Sequence, residues 1–389
     1  MEIQPLLSEL FLRQLKEKDE EGIRRSIASA GGQGDGCRHL VGTMRSFTCL
    51  HKPPQGETSA IVVIDALADL MPLFEGGSPT ALLAAGASYL MSLPVSAPRV
   101  ELLDVDPNEP TPDFVPVGAL EEALARGQVE ATCWTVARLA RVIRTREYFL
   151  EVLLEAVAPE QSPAGRFLVQ TNATVKAMRE IEWEASQGIA YRLLEALSER
   201  PLPAAPFASE NPPPLPCRAG YLASLERENP EDAWLYLSHA FQAERYAQLR
   251  QKGVRWGLRA WVTQRLFHGD EAGMDRAEKD LGPRQTEGGQ QAFETVPIDP
   301  GTWILEKIAS GSSAASTEAG LWAEKLPDVD PLYRWIAEGV ATALARGNPK
   351  PLVTVNAARW GAHLLGPAGA GVLTRRLIER LATLMADPA

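Results

Sequence analysis

The sequence predicts an all-α protein built of antiparallel helical hairpins, with two pseudo-repeated halves packed on one core. Three observations lead there. Apolar residues recur at helical spacing along nearly the whole chain, alternating β-branched runs are scarce, and proline-rich breakers interrupt the helical texture in a repeated order.

The helical spacing begins with Ile3, Leu6, Leu7 and Leu10 and returns at Ile64, Leu67, Leu70 and Met71. It continues at Val136, Leu139, Ala140 and Ile143, and closes the chain at Leu373, Leu377 and Leu381. One run, Ile61-Val62-Val63-Ile64, has the composition of a strand, but Asp65-Ala66-Leu67-Ala68-Asp69-Leu70 follows it, so a buried helix is the better reading. Three segments cannot be helix interior. Residues 94 to 118 scatter prolines among acidic residues, residues 201 to 216 hold seven prolines, and residues 282 to 302 mix Gly, Gln and Pro. The triplet Pro212-Pro213-Pro214 is a stiff extended piece. The run from 201 to 216 is therefore read as a strap between an N-terminal helical half, 1 to 200, and a C-terminal half, 217 to 389.

A gapless alignment supports the repeat, with Leu120 to Ala173 lying on Ile304 to Ala357. Glu122, Ala125 and Gly127 fall on Glu306, Ala309 and Gly311, while Leu168-Val169 and Asn172-Ala173 fall on Leu352-Val353 and Asn356-Ala357. Each segment follows a proline-containing stretch, Val115-Pro116-Val117 or Val296-Pro297-Ile298.

Composition narrows the function classes. Hydrophobic residues at 45% and charged residues at 23% are the balance of a chain that folds unaided. The net charge of −11, with no basic stripe to neutralise a run of phosphates, argues against a nucleic-acid partner. The basic residues Arg138, Arg141, Arg144 and Arg146 alternate with apolar ones as on a solvated helix face. No apolar stretch is long enough to span a bilayer and Met1 to Glu21 lacks a signal peptide's apolar core, so a cytoplasmic protein is expected. Four scattered cysteines make no disulfide framework.

Several residues could carry chemistry. Cys37-Arg38-His39 and Cys49-Leu50-His51 double a Cys-x-His pattern that could supply zinc ligands, but residues two apart on a helix point to nearly opposite sides. His239 sits alone among apolar residues, and His268 beside Gly269 reads as a helix C-terminal residue favoured by the dipole. Asn356 and His363 share a helix face with Arg359 near the same stripe. Their counterparts in the first half are Asn172 and Arg179, with Lys176 where the second half has Trp360. Repeated polar residues at interior positions need partners, so Asn172, Arg179, Asn356 and His363 become a candidate ligand site between the halves. The competing reading is an Asn that cross-links neighbouring helices. No phosphate loop, nucleophile elbow, His-Glu-x-x-His or Glu-x-x-His motif is present.

The segment Gly165-Arg166-Phe167-Leu168-Val169, taken with Ile181-Glu182-Trp183-Glu184 and the amphipathic stretch Ile189 to Leu197, resembles a group of bacterial all-helical proteins and, more distantly, the questin-oxidase family. In that group a Gly-His-Lys opens this helix and a Trp-Glu follows at the spacing that separates Gly165 from Trp183-Glu184. The segment around His39-Leu40-Val41 resembles the group's first His-bearing helix. The resemblance implies iron-type oxygenase chemistry on polycyclic aromatic substrates, with histidines and a lysine gathered in the core. Here Arg166 and Phe167 stand where the His and Lys would be, Lys350 and Pro351 occupy the related second-half positions, and only His39 falls in register. Arginine has no lone pair to give a metal.

Either the metal site is lost, or it is rebuilt from His51, His239 and His363. Loss is the simpler expectation, leaving a binding protein for an apolar small molecule or a protein partner, with nine tryptophans compatible with either. The rival is an oxidoreductase holding iron or zinc, neither preferred, through His39, His239 and His363. A third reading docks the acidic segment from Asp104 to Asp113 on a basic partner.

Overall fold

Helix follows helix along the chain, as the periodicity predicts, and no strand occurs among the described residues. The computed structural model describes residues 3 to 386, apart from 31–33, 53–57, 75–78, 105–116, 143–145, 163, 182, 199–210, 212, 247–250 and 281–299. The first ten helices are α1 (Ile3–Glu17), α2 (Glu20–Ala30), α3 (Gly34–Phe47), α4 (Ala60–Leu70), α5 (Thr80–Ser92), α6 (Val117–Ala125), α7 (Val129–Val142), α8 (Arg146–Val157), α9 (Arg166–Glu180) and α10 (Trp183–Ser198). Then come α11 (Cys217–Leu225), α12 (Glu231–Tyr246), α13 (Gln251–Leu266), α14 (Glu271–Asp280), α15 (Pro300–Ser310), α16 (Ser313–Lys325), α17 (Asp330–Ala345) and α18 (Lys350–Ala386). Most of the proline-rich run 201 to 216, the acidic segment 104 to 113 and the breaker 282 to 302 lie outside the described residues.

Burial explains the helix that looked most like a strand. In α4 the run Ile61 to Ile64 is buried together with Ala66, Leu67 and Leu70, so the helix is covered on all sides and packing overrides the β-branched preference. A 3-10 turn, Thr48–Leu50, extends α3.

Along the alignment of 120–173 with 304–357, helix starts fall on helix starts: Val129 of α7 on Ser313 of α16, Arg146 of α8 on Asp330 of α17, and Arg166 of α9 on Lys350 of α18. The aligned glycines Gly127 and Gly311 both take positive φ, 66° and 58°, just past the ends of α6 and α15, where a side chain would be strained. Within α18, Gly366 is non-helical at φ 74° and Pro367 opens the second segment. That second segment meets α16 with backbone almost on backbone, because a Cβ on Gly320 would lie 2.6 Å from the Gly371 carbonyl oxygen. At the end of α13, His268 takes φ 50°, in keeping with its reading as a helix-terminal residue.

One core runs through both portions of the chain. At its centre α4 packs on α9, α9 on α12, α12 on α18, and α18 back on α4, while α5 packs on α17. Helices from before and after the proline-rich run thus form a closed ring of four. Among the described residues no helix is long and apolar enough to cross a membrane.

Candidate functional site

Each helix of the ring carries polar side chains spaced three or four residues apart, which puts them on one face. These are Asp65 and Asp69 on α4, Asn172 and Lys176 on α9, His239 and Gln242 on α12, and Asn356 and Trp360 on α18. Lys176 Nζ donates to Asp65 Oδ2 at 2.7 Å, Asp69 Oδ1 at 2.6 Å and Gln242 Oε1 at 2.7 Å, which uses all three ammonium hydrogens. Arg45 of α3 donates to Asp65 Oδ1 at 2.9 Å and also reaches Glu180. Asp69 Oδ2 accepts from Asn356 Nδ2 at 3.1 Å and Trp360 Nε1 at 3.3 Å.

At the rim, Arg359 donates to the Asp69 carbonyl oxygen and grips Asp330 of α17 with two hydrogen bonds at 2.8 and 2.9 Å. His363 Nε2 donates to the same Asp330 at 2.7 Å.

The electrostatics follow from burial balanced against pairing. Burial pushes the Asp65 carboxyl up, against the pull of Lys176 and Arg45. Burial works on Asp69 in the same sense, but Lys176 and the donors around it hold that carboxyl below its ordinary value. Lys176 and Arg45 are raised because the carboxylates outweigh desolvation. Asn172 Nδ2 donates to His239 Nδ1 at 3.0 Å, so the imidazole carries its proton on Nε2. Burial, reinforced by the Lys176 charge, lowers His239 to about 3 and keeps it neutral. Asn172 Oδ1, Asn356 Oδ1, Gln242 Nε2 and Arg45 Nε have no hydrogen-bonding partner, so this network is incomplete at four points.

The structure brings Asn172 and Asn356 into one centre, but as cross-links: the first ties α9 to α12 and the second ties α18 to α4. Arg179 lies half-buried near the end of α9, and His363 stays 42% exposed at the rim. The expected metal ligands do not converge. His39 is exposed on α3, His239 is buried in the ring, and His363 is bound to Asp330. Among the described residues no group of three His, Cys, Asp or Glu is arranged to hold a metal ion. The doubled Cys-x-His behaves as helical geometry requires, with Cys37 buried and donating to the Ala30 carbonyl while His39 faces solvent.

On the opposite face of α9 lies a cleft of about 60 Å³, lined by the 3-10 turn, the start of α4, Gln170 and Thr174 of α9, and Arg192 and Glu195 of α10. His51, 4% exposed, lines it with Nδ1 at 3.0 Å from the Pro94 carbonyl oxygen. A carbonyl only accepts, so Nδ1 carries the hydrogen and Nε2 keeps its lone pair. Burial lowers the His51 pKa and keeps the ring neutral. Ser59, 8% exposed, is the N-cap of α4 but makes no capping hydrogen bond. His51 Nε2 and Ser59 Oγ both lack a hydrogen-bonding partner. Arg192 is anchored by donating to the Cys49 carbonyl at 2.8 Å, to Glu195 at 2.8 Å and to the Ser96 carbonyl, and Lys52 pairs with Glu195 at 3.4 Å.

Sequence reasoning passed over Arg45, Asp65, Asp69, Gln242, Ser59 and Arg192. The two aspartates did leave a signal, since carboxylates four apart in an otherwise apolar helix cannot be buried without cations. Ser59 left a weaker one, as a hydroxyl just ahead of the apolar run. No family model, curated protein or solved structure matches the chain.

Proposed function

We propose that this protein binds a small polar molecule in the cleft between the 3-10 turn, α4, α9 and α10. The observation that carries the reading is a pair of buried lining residues, His51 and Ser59, whose Nε2 and Oγ have no hydrogen-bonding partner. Leaving such a group unpaired costs about 1–3 kcal/mol, and a ligand that pairs both recovers that cost on binding. The ring centre also holds unpartnered atoms but is the weaker candidate, because Lys176, Asp65 and Asp69 neutralise one another there.

The test is a thermal-shift screen of the full chain against small polar acids, alcohols and amines, repeated on Ser59→Ala and His51→Gln. A ligand that raises Tm in the parent and loses its effect in both variants supports the reading. No stabilising ligand, or stabilisation unchanged by both substitutions, overturns it.

A further inference from the structure

We infer that the two halves of the chain carry the same site, open in the first half because Ala196 stands where Arg380 seals the second. What the open site holds rests on the binding reading above. That the two sites correspond rests on matched side-chain bonds.

Carried on without a gap, the alignment of 120–173 with 304–357 lays α10 on the second segment of α18, and Arg192, Glu195 and Ala196 on Arg376, Glu379 and Arg380. The counterparts bond alike. Arg192 donates to Glu195 and to the Cys49 carbonyl in the connection ahead of α4. Arg376 donates to Glu379 at 3.1 Å and to the Arg227 carbonyl, at 2.6 Å, in the connection ahead of α12. The ring pairs α4 with α12 in the same way, since Asn172 meets His239 of α12 and its counterpart Asn356 meets Asp69 of α4. The helices that follow also cross over alike, α5 packing on α17 and α13 on α8, where α8 and α17 are aligned with each other.

Setting His239 on Asp69 puts Asn229 and Glu231 on Ser59 and Ile61. Arg380, 16% exposed, donates to Asn229 Oδ1 at 2.8 Å and to the Glu231 carboxylate. Its guanidinium therefore lies against the counterparts of Ser59 and Ile61 and springs from the counterpart of Ala196. Those three residues line the cleft of about 60 Å³ in the first half. Where the second half has a guanidinium, the first has space, because Ala196 ends at a methyl and an arginine reaches across to the next helix. Charge changes with size. Ile61 offers no carboxylate where Glu231 neutralises Arg380, and Glu195 in the cleft lining is already paired with Arg192 and Lys52. The open site thus takes a non-cationic molecule of guanidinium size, and the second site is filled from within the chain.

The test is guanidinium rescue of the full chain, read by thermal unfolding. Arg380→Ala empties the second site and is expected to lower Tm. Millimolar methylguanidinium is expected to restore at least about half of that loss, and methylammonium, which has the charge without the planar fork, much less. The parent should show no rise with methylguanidinium, because its open cleft has no carboxylate to spare. In Arg380→Ala combined with Glu231→Gln the rescue should vanish. Ala196→Met, shown to be folded by far-UV circular dichroism, fills the first cleft, so small polar compounds that stabilise the parent are expected to lose at least about half of their Tm shift. Failure of methylguanidinium to restore Tm, or to fold an Arg380→Ala chain that is unfolded without it, overturns the pairing of the sites. Rescue that survives Glu231→Gln, or an equal rise in the parent, overturns it too. Compounds that stabilise Ala196→Met as strongly as the parent overturn the role of Ala196. A screen in which nothing stabilises the parent removes the binding reading, and the rescue then decides by itself whether Arg380 seals a site.

Discussion

Replacing Lys176 by Met removes the one ammonium that bridges Asp65, Asp69 and Gln242 in the middle of the four-helix ring. Deleting one member of a buried ion pair costs about 3–5 kcal/mol, because the partner charge is left without compensation. Two carboxylates are exposed to that cost here. Asp65 keeps Arg45 at 2.9 Å, and Asp69 keeps only the neutral donors Asn356 and Trp360. The loss should therefore come mainly from Asp69, and roughly 4 kcal/mol is a large part of the usual 5–15 kcal/mol of a folded domain. Urea unfolding followed by far-UV circular dichroism measures it. Asp69→Asn added to Lys176→Met should restore about half of the loss, since the neutral amide no longer needs a cation.

The pH dependence should reverse as well. In the parent Asp69 is held below its ordinary value of 3.8, so its contribution is present above that pH and is lost as acid protonates it. In Lys176→Met the carboxyl rises above that value, the folded state then binds the extra proton, and stability increases as pH falls from 7 towards 4. A loss under about 1 kcal/mol, or an unchanged pH slope, would show that the network does not hold the ring together.

Four further outcomes follow from the geometry. His239 is neutral when folded, with its pKa lowered from 6.5 to about 3, so its contribution is complete above 6.5 and is lost as pH falls to about 3. The full effect is on the order of 4–5 kcal/mol, and His239→Gln should flatten that part of the stability–pH curve. Gly257→Ala would put a Cβ 2.0 Å from the Ala158 carbonyl oxygen, a backbone atom that cannot step aside, so a lowered urea midpoint and a loss of at least about 1–3 kcal/mol are expected. Burial pushes the Cys133 thiol up to about 12 and raises Cys217 further, so neither should react with a disulfide reagent at pH 8 until the protein is unfolded. Ser59→Ala removes an unpartnered buried hydroxyl and should leave stability within about 1 kcal/mol of the parent, whereas loss of a working helix cap would cost more.

Much of the fold was legible because helix formation is encoded locally. Ile61 to Leu70 reads as a buried helix and His268 as a helix terminus, and both are so in the fold. The site was legible only in part. Asn172, Asn356 and His239 were singled out, and all three lie in the ring, yet the reading joined Asn172 and Asn356 to Arg179 and His363 as a ligand site. Spacing along one helix shows that two side chains share a face. It does not show what that face meets, which is why His39, His239 and His363 could be grouped on paper and lie in three different environments in the fold.

The sequence by itself determined that this chain is helical and which faces of its helices are apolar, because those properties depend on residues within a turn or two of one another. Only the tertiary structure decided that Asp69 would meet Asn356, 287 residues away, that Lys176 would neutralise two aspartates, and that His51 would spend its Nδ1 hydrogen on the Pro94 carbonyl. The physical reason is that a buried charge or hydrogen-bonding atom is stable only in the company of its partner, and close packing of distant segments selects that partner.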